Sequence, residues 1–261
     1  MSDGGTGSAA ADERPWVAIG DVHGRADLLA TLLDAIERDL REPRIVLLGD
    51  LIDRGPDVRG TIGLAREVPH RFPGSEVLQG NHEDWMLSAL AGHGGDREDW
   101  LTWGGEATCR AYGVDPVADR ERLADAFAPH AADTGFMRAR PRFVHGHGAA
   151  EGHMFVHAGI DPRVPVDAQG ERDLIWMREP FLSWPHALAK RIVHGHTIAR
   201  RPQERAHRIG IDTGAYETDM LTAVVLDGGA PRYWGATPEG VTSVEPDRSA
   251  APGPGAVPGR R

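Results

Sequence analysis

Carboxylate, amide and imidazole side chains recur through the chain in short clusters that could hold metal ions. The candidate ligands are Asp21, His23, Asp50, Asn81, His157 and His196. Oxygen and nitrogen ligands without sulfur suit Mn, Fe or Zn better than a soft metal, and a carboxylate can bridge two ions. Six ligands suffice for two ions about 3.5 to 4 Å apart, with a shared water whose pKa falls toward about 7. These residue types therefore indicate metal-assisted hydrolysis by hydroxide at neutral pH.

The clusters stand where short apolar runs end. The runs are WVAIG before Asp21, RIVLLG before Asp50, EVLQG before Asn81, FV before His157 and RIVHG before His196. After the first two runs, apolar residues recur at helical spacing. They are Leu29, Leu32, Leu33, Ile36 and Leu40, then Val58, Ile62 and Ala65. This β-α-β-α-β order predicts a parallel sheet, whose strands bring their carboxyl ends to one edge, where ligands bind. We therefore expect the clusters to converge at that edge.

The remaining sequence predicts an α/β (α+β) fold with two sheets. From residue 141 onward, short runs separated by Gly and Pro predict a second, largely antiparallel sheet that packs face to face with the first, with helices outside. Residues 15–245 form the predicted catalytic domain, and residues 96–132 are predicted to be a helical cap inserted beside the sheet edge. Residues 1–14 and 246–261 are rich in small residues, Gly and Pro, and are predicted to be disordered tails.

Composition and charge exclude several classes of protein. Cys109 is the only cysteine, which excludes an intramolecular disulfide and a thiolate metal site. No apolar run approaches the roughly 18 residues of a membrane-spanning helix, and the opening MSDGGTGSAAADERP has no secretory-signal features. The formal net charge of -10 argues against nonspecific nucleic-acid binding. We expect a cytoplasmic monomer without a nucleic-acid or membrane partner.

Each cluster taken alone also has a structural explanation. Asp21 could be a helix N-cap, and Asp50 could belong to a turn. A single histidine after an apolar run is usually a hydrogen-bonded structural residue. The coincidence of five clusters at one predicted sheet edge favours a metal site over these alternatives.

Other residues carry weaker signals. Trp100 and Trp103 could line a substrate groove or form the core of the cap. One set of four arginines could attract an anionic substrate or form a solvated surface. These are Arg200, Arg201, Arg205 and Arg208. Three histidines, His145, His147 and His153, are predicted to form the arms of a hairpin and not to bind metal.

Five motifs, taken in order, resemble the signature of a known family. They are GDVHG at 20–24, GDLIDRG at 49–55, GNHE at 80–83, HAG at 157–159 and GHT at 195–197. They resemble the phosphoprotein phosphatase family of calcineurin-like metallophosphoesterases, over about residues 16 to 235. HAG in place of the eukaryotic HGG resembles the bacterial or phage-type serine/threonine protein phosphatases. The resemblance implies a four-layer fold, in which two mixed β-sheets form a sandwich flanked by helices.

The same resemblance implies a role for each site residue. The metal ligands would be Asp21 and His23 for one ion, Asp50 as the bridge, and Asn81, His157 and His196 for the second ion. His82 would be the general acid, with Asp53 as its orienting partner. Arg54 and Arg178 would bind the phosphate, since Arg178 in LIWMRE resembles the WxR of bacterial and phage members. Glu83 is expected to begin the following helix, where a carboxylate complements the helix dipole.

The predicted activity is that of a metal-dependent phosphomonoesterase, most specifically a protein serine/threonine phosphatase. A hydroxide bridging two divalent ions would attack phosphorus directly, without a phosphoenzyme. The resemblance favours Mn²⁺, with Fe and Zn as alternatives. The substrate would be a phosphorylated protein or peptide, or a small phosphate ester. Two alternatives stay open: a symmetrical dinucleoside polyphosphate hydrolase with a closely related site, and a catalytically inactive scaffold of the same fold.

Overall fold

A computed structural model describes residues 12–117 and 122–249 of the chain. The strands are β1 (Trp16–Ile19), β2 (Arg44–Leu47), β3 (Glu76–Val77), β4 (Phe143–His145), β5 (His153–Val156), β6 (Arg191–His194), β7 (Gln203–Glu204), β8 (Arg208–Gly210), β9 (Leu221–Leu226), β10 (Arg232–Thr237) and β11 (Gly240–Ser243). The helices are α1 (Ala26–Asp39), α2 (Val58–Arg71), α3 (Asn81–Leu90), α4 (Gly94–Trp100), α5 (Glu106–Ala111), α6 (Leu123–Phe127), α7 (Ala131–Arg138), α8 (Glu171–Trp176) and α9 (Ala215–Thr218). Within these described ranges, no helix combines the length and apolar character that a membrane crossing requires.

One six-stranded sheet contains the first three strands and the last three. Its order is β11-β10-β9-β1-β2-β3, in which β1, β2 and β3 are parallel and β9, β10 and β11 pair antiparallel. Helices α1 and α2 connect the parallel strands, which confirms the predicted β-α-β-α-β order. Their predicted apolar positions are buried, as Leu29, Ile36, Val58 and Ile62 illustrate, except for Leu40, which follows α1 and is partly buried.

A second, five-stranded sheet has the order β4-β5-β6-β8-β7. Parallel strands β5, β6 and β8 form its centre, and β4 and β7 pair antiparallel at its edges. The prediction of a largely antiparallel second sheet is therefore wrong. The runs LTAVVLD at 221–227 and RYWGA at 232–236 lie in the part of the chain predicted to form that sheet, but they are β9 and β10 of the first sheet. Strand β9 is buried along its whole length, and an apolar run of this kind does not reveal which of two sheets it joins.

Alternation along the strands divides the apolar side chains between separate layers of core. In β1, Val17 and Ile19 face the helices, whereas Trp16 and Ala18 face the second sheet. Trp16 stacks on Phe155 of β5 with ring centroids 5.3 Å apart. A further apolar cluster, which includes α8, covers the opposite face of the second sheet. These layers confirm the predicted sandwich of two mixed sheets flanked by helices.

The segment 96–132 is helical where it is described. It contains the end of α4, an irregular turn at 101–105, α5 and α6, and residues 118–121 lie outside the described part of the chain. Trp100 is fully buried in the core that α1 and α2 share, whereas Trp103 is 57% exposed. The two indoles therefore take different environments.

Both ranges predicted as tails have a described portion that contacts the domain. Asp12 forms an ion pair with Arg44 at the start of β2. Asp247 forms one with Arg205, at 3.0 Å. The remainder of both ranges lies outside the described residues, so their predicted disorder stays a prediction.

Candidate metal centre and active site

Five residues of the candidate site occupy the left-handed region of backbone space. They are His23, Asp50, Asp53, Arg54 and His196, with φ between 44° and 71°. A residue with a Cβ costs roughly 1 to 3 kcal/mol in such a conformation and persists there only where its surroundings hold it. These residues lie in the loops that follow β1, β2 and β6. The fold therefore holds unfavourable loop conformations that aim these side chains.

The Glu83 carboxylate holds the loop that follows β2. Its Oε2 accepts hydrogen bonds from the backbone N–H groups of Asp50 at 3.0 Å and Gly80 at 2.8 Å. Its Oε1 accepts from Leu51 at 2.8 Å and Ile52 at 3.2 Å. Burial, reinforced by the nearby Asp50 carboxylate, raises the pKa of Glu83 to about 7. Glu83 does stand at the start of α3 as expected, but the sequence analysis missed its role as the anchor of this loop.

The Asp50 carboxylate lies among four imidazoles. Its Oδ2 is 3.5 Å from His23 Nε2 and 3.9 Å from His82 Nε2, and its Oδ1 is 3.4 Å from His157 Nε2. The candidate ligand atoms form two groups, each with all atoms within 4.8 Å of one another, and both include Asp50. One group adds His23 and His82, and the other adds His157 and His196. Burial alone would raise the pKa of Asp50, whereas the surrounding imidazoles in their protonated form outweigh burial and lower it.

Backbone carbonyls select the tautomers of two of these histidines. His23 Nδ1 lies 2.7 Å from the carbonyl oxygen of Ile52, and His157 Nδ1 lies 2.9 Å from that of Leu48. Because a carbonyl oxygen only accepts, Nδ1–H must donate, which leaves the Nε2 lone pair directed toward Asp50. Burial lowers the pKa of both imidazoles and keeps them neutral. This arrangement is typical of metal-binding histidines.

Asn81 brings an amide oxygen to the second group. Its Oδ1 lies 2.8 Å from His157 Nε2 and 2.9 Å from His196 Nδ1. Since Nε2 of His157 carries no proton, two lone-pair atoms face each other there, and a cation coordinated by both makes this contact favourable. Oxygen and imidazole donors without thiolate suit Mn, Fe or Zn. The residues present therefore fit a divalent cation.

Asp21 lines the cavity that opens onto these side chains, although it belongs to neither of the two groups of ligand atoms. It accepts the backbone N–H of His196 with both carboxylate oxygens, at 3.1 and 3.0 Å. A Cβ at Gly195 would come within 2.0 Å of Asp21 Oδ1, so only glycine fits where these two loops meet. Burial, together with the carboxylates of Asp212 and Asp50, raises the pKa of Asp21 well above its usual value. Bound cations would offset the repulsion among these carboxylates.

His82 and Asp53 form a buried hydrogen-bonded pair beside the metal candidates. His82 Nδ1 donates to Asp53 Oδ2 at 2.6 Å. Burial would lower the pKa of His82, but two neighbouring carboxylates outweigh burial and raise it. Arg54 donates to Nε2 of His82 at 3.0 Å and to Nε2 of His23 at 2.9 Å. Its guanidinium carbon lies 4.8 Å from the ring centroid of Tyr216, a contact that the sequence analysis missed.

A cavity of about 180 Å³ opens onto this cluster. Its lining residues are Asp21, Asp50, Arg54, Asn81, His82, Trp85, Trp103, Trp176, Arg178 and His196. Arg178 follows α8, and its Nη2 lies 3.5 Å from the His196 carbonyl oxygen. The rings of Trp85 and Trp176 lie 4.5 Å apart. Sequence reasoning assigned no role to these two indoles, although each stands within three residues of a predicted site residue.

The histidine and arginine sets that carried weaker sequence signals lie outside the cavity lining. Strands β4 and β5 pair antiparallel with His145 opposite Met154, which confirms the predicted hairpin. Arg208 is buried, whereas Arg200 and Arg201 are exposed, so the arginine set does not form one continuous surface.

The sandwich fold and this cluster agree with a match to one protein family. A family model described as calcineurin-like phosphoesterase matches residues 15–208. The chain belongs to this family and is a hydrolase of phosphate esters. The family uses a dinuclear metal centre, in accord with the two groups of ligand atoms that share Asp50.

Individual relatives divide between two substrate classes. The chain is 31% identical over 212 residues to serine/threonine-protein phosphatase 1 of Salmonella typhimurium, across 79% of this chain and 89% of that protein. It is 30% identical over 151 residues to a symmetrical bis(5'-nucleosyl)-tetraphosphatase of Cellvibrio japonicus, across 58% of this chain and 47% of that protein. A solved structure of a provisionally named diadenosine tetraphosphatase aligns with a TM-score of 0.63 at 22% identity, covering 87% of this chain and 96% of that chain. This last likeness shows the fold alone.

Proposed function

We propose that this phosphoesterase is a phosphomonoesterase that acts on phosphorylated serine or threonine in a protein or peptide. The observation that carries the proposal is the Asp50 carboxylate, shared between two groups of ligand atoms at a cavity that Arg54 and Arg178 also line. A guanidinium donates paired hydrogen bonds to phosphate oxygens, so two of them suit the charge and shape of a phosphate monoester.

The proposed metal ligands divide into two sets that share one carboxylate. Asp21, His23 and Asp50 would hold one cation, and Asp50, Asn81, His157 and His196 would hold the other. Two bound divalent cations supply charge neutralisation and an acidified water at neutral pH. His82 also lies near the first set, but its Nε2 is 3.9 Å from Asp50 and its Nδ1 is bonded to a carboxylate. We therefore assign His82 to proton transfer.

His82 would donate a proton to the leaving oxygen of the substrate. Its raised pKa favours the protonated imidazolium, in which Nδ1–H donates to Asp53. Arg54 donates to Nε2 in the neutral form of the ring, so Nε2–H would become available to the leaving oxygen once Arg54 turns to the phosphate. A general acid contributes about 10² to 10⁴ in rate, whereas hydrolysis of a phosphate monoester can require up to about 10²¹. The larger part must come from the cations and from Arg54 and Arg178.

The alignments support a phosphoprotein substrate over a dinucleotide. The aligned region spans 89% of the Salmonella phosphatase but 47% of the Cellvibrio tetraphosphatase. Hydrolysis of a dinucleoside polyphosphate stays the second candidate, because the indoles of Trp85, Trp103 and Trp176 line the cavity and could stack on a base.

A parallel assay separates the two substrate classes. The Mn²⁺-loaded enzyme would be given phosphoserine and phosphothreonine peptides, diadenosine tetraphosphate and a phosphodiester, and kcat/KM would be compared. We expect the peptides to be preferred by more than about tenfold, a difference of about 1.4 kcal/mol in transition-state stabilisation. Preferential cleavage of the dinucleotide would contradict the proposed substrate class and favour the second candidate.

His82→Ala tests the proposed proton donor. The variant should keep its bound metal and lose about 10² to 10⁴ in kcat toward a phosphoserine peptide. Toward p-nitrophenyl phosphate it should lose much less, because that leaving group needs no proton. Equal losses with both substrates would argue against His82 as the acid.

Several finer attributes stay predictions of the sequence analysis. They are Mn²⁺ as the native metal, a monomeric state, a cytoplasmic location and the lack of a nucleic-acid or membrane partner. Metal analysis of protein isolated from its native host, together with size-exclusion chromatography, would test the first two.

A further inference from the structure

The cap segment reaches into the active site at Asp53. Trp100 Nε1 donates to both carboxylate oxygens of Asp53, at 2.9 Å to Oδ2 and 3.1 Å to Oδ1. The Thr108 hydroxyl donates to Oδ1, and its oxygen accepts the backbone N–H of Asp53 at 3.0 Å. All three residues are 0% exposed. The two cap residues follow Asp53 by 47 and 55 positions in the chain, so this contact depends on the tertiary fold.

These bonds fix the direction in which the Asp53 carboxylate points. Oδ2 receives the indole N–H of Trp100 and Nδ1–H of His82, while Oδ1 receives the hydroxyl of Thr108. A carboxylate bonded only to an imidazole could rotate about its own side-chain torsions. With donors from the cap on both oxygens, rotation would break several buried hydrogen bonds at once, which is costly in the absence of water.

The same segment also contacts the phosphate-binding candidate Arg54. The Gly104 carbonyl accepts the Arg54 backbone N–H at 3.2 Å, and the Trp103 carbonyl accepts Nε at 3.4 Å. Gly104 has φ 121°, and a Cβ there would come within 2.7 Å of Arg54 Cγ. A Cβ at Gly105 would come within 2.6 Å of the Trp100 ring. The glycine pair lets the cap fit closely against both Arg54 and Trp100.

We propose that Thr108 and Trp100 are positioning residues for proton transfer, which act by holding Asp53 so that His82 presents Nε2 to the leaving oxygen. This inference rests on the proposed function, in which His82 is the proton donor. The cap then serves as part of the catalytic apparatus, beyond any contribution to substrate binding. Neither positioning residue lines the cavity or belongs to a group of ligand atoms, so their loss should act on kcat and leave KM and metal content unchanged.

The test compares variants on two phosphate monoesters that differ only in their need for a proton on the leaving group. Thr108→Val keeps the side-chain shape and removes the hydroxyl, and Thr108→Ser restores it. We expect Thr108→Val to lower kcat toward a phosphoserine peptide by about 10- to 100-fold, with less than about threefold loss toward p-nitrophenyl phosphate. Thr108→Ser should recover most of the rate.

Trp100→Phe supplies a second variant if Thr108→Val does not fold, since it keeps an aromatic ring and removes the N–H donor. It should show the same selective loss. Tyr112→Phe is the matched control: Tyr112 follows α5 in the same cap and donates to Asp133 at 2.9 Å, away from Asp53. Its kcat toward both substrates should equal that of the wild type.

The outcomes separate this inference from the function on which it rests. Selective losses in His82→Ala and in the cap variants support both. If His82→Ala is selective while the folded cap variants lose rate equally on both substrates, or not at all, the positioning role is wrong and the proton donor stands. If His82→Ala itself loses rate equally on both substrates, the proposed role of His82 falls, and this inference with it.

Discussion

Two clusters of buried histidines in this molecule differ in what their ring nitrogens contact. In the Asp50 cluster, formed by Asp50, His23, His82, His157 and His196, nitrogens converge on a carboxylate beside an open cavity. In the Phe181 cluster, formed by Phe181, His194, His207 and Arg208, no carboxylate takes part. His207 Nε2 donates to the Phe181 carbonyl at 2.9 Å, and His194 Nε2 accepts from Arg208 at 3.3 Å. The rings of both histidines pack edge-on against the Phe181 ring.

The comparison shows that burial of a histidine does not by itself mark a metal site. His194 is 1% exposed and His157 is 0% exposed, yet they differ in the direction of their lone pairs. His157 donates from Nδ1 to a carbonyl and keeps Nε2 for shared ligands. His194 Nε2 is already occupied by the Arg208 guanidinium. A lone pair that faces other ligand atoms, without a donor of its own, distinguishes His157 from His194.

The largest expected effect in this comparison follows from Asp50→Asn. The amide removes the negative charge shared by both ligand groups, so metal affinity and kcat should fall by more than the roughly 10²-fold that loss of an outer hydrogen-bond partner costs. Metal content after gel filtration and kcat toward a phosphoserine peptide would be measured. Asp212→Asn, a second buried carboxylate outside both groups, is the control and should cost less. If the variant keeps two ions and most of its activity, Asp50 is not the ligand that the two cations share.

Glu83→Gln should have an intermediate effect, because Glu83 acts on Asp50 only through the loop. The amide would turn an N–H toward one of the backbone N–H groups that Glu83 now accepts. We expect metal affinity to fall by about 10- to 100-fold, with kcat largely recovered at saturating Mn²⁺. Asp84→Asn is the matched control on the same helix, since Asp84 pairs with Arg142 at 2.8 Å away from the loop. If Glu83→Gln and Asp84→Asn bind metal with equal affinity, Glu83 does not anchor the loop.

The smallest effect on activity is expected from His207→Gln in the Phe181 cluster. Burial lowers the pKa of His207 to about 4 from its ordinary 6.5. The unfolded chain therefore binds a proton below about pH 6.5 that the folded chain takes up only near pH 4, so this residue makes stability fall as the pH drops through that window. The variant should lose less melting temperature than wild type between pH 7 and pH 5 and keep wild-type kcat at pH 7.5. A large loss of kcat would contradict the independence of the Phe181 cluster from the active site. An unchanged pH dependence of the melting temperature would contradict the lowered pKa of His207.

Much of the site could be predicted because it depends on local order in the chain. Asp21, Asp50 and Asn81 each follow a strand of a β-α-β-α-β unit, and parallel strands must bring such positions to one edge. The assignment of β9 and β10 to the first sheet could not be predicted in this way, because an apolar strand shows that it is buried but not beside which neighbour.

The parts of the site that could not be predicted depend on contacts between distant segments of the chain. His194 and His196 stand two residues apart in VHGHT, and only the left-handed backbone at His196 directs one toward Asn81 while the other packs on Phe181. Likewise, a threonine in a cap helix has no sequence pattern that marks it as a partner of Asp53. Such roles follow from tertiary packing and not from residue type or spacing.

The central claim is that one carboxylate, Asp50, is shared by two cation sites. Titration of the metal-free protein with Mn²⁺, followed by metal analysis and electron paramagnetic resonance, tests it most directly. The account predicts two ions per chain with a magnetically coupled spectrum, because ions that share a ligand lie about 3.5 to 4 Å apart. A single ion per chain, or two ions without coupling, would contradict it.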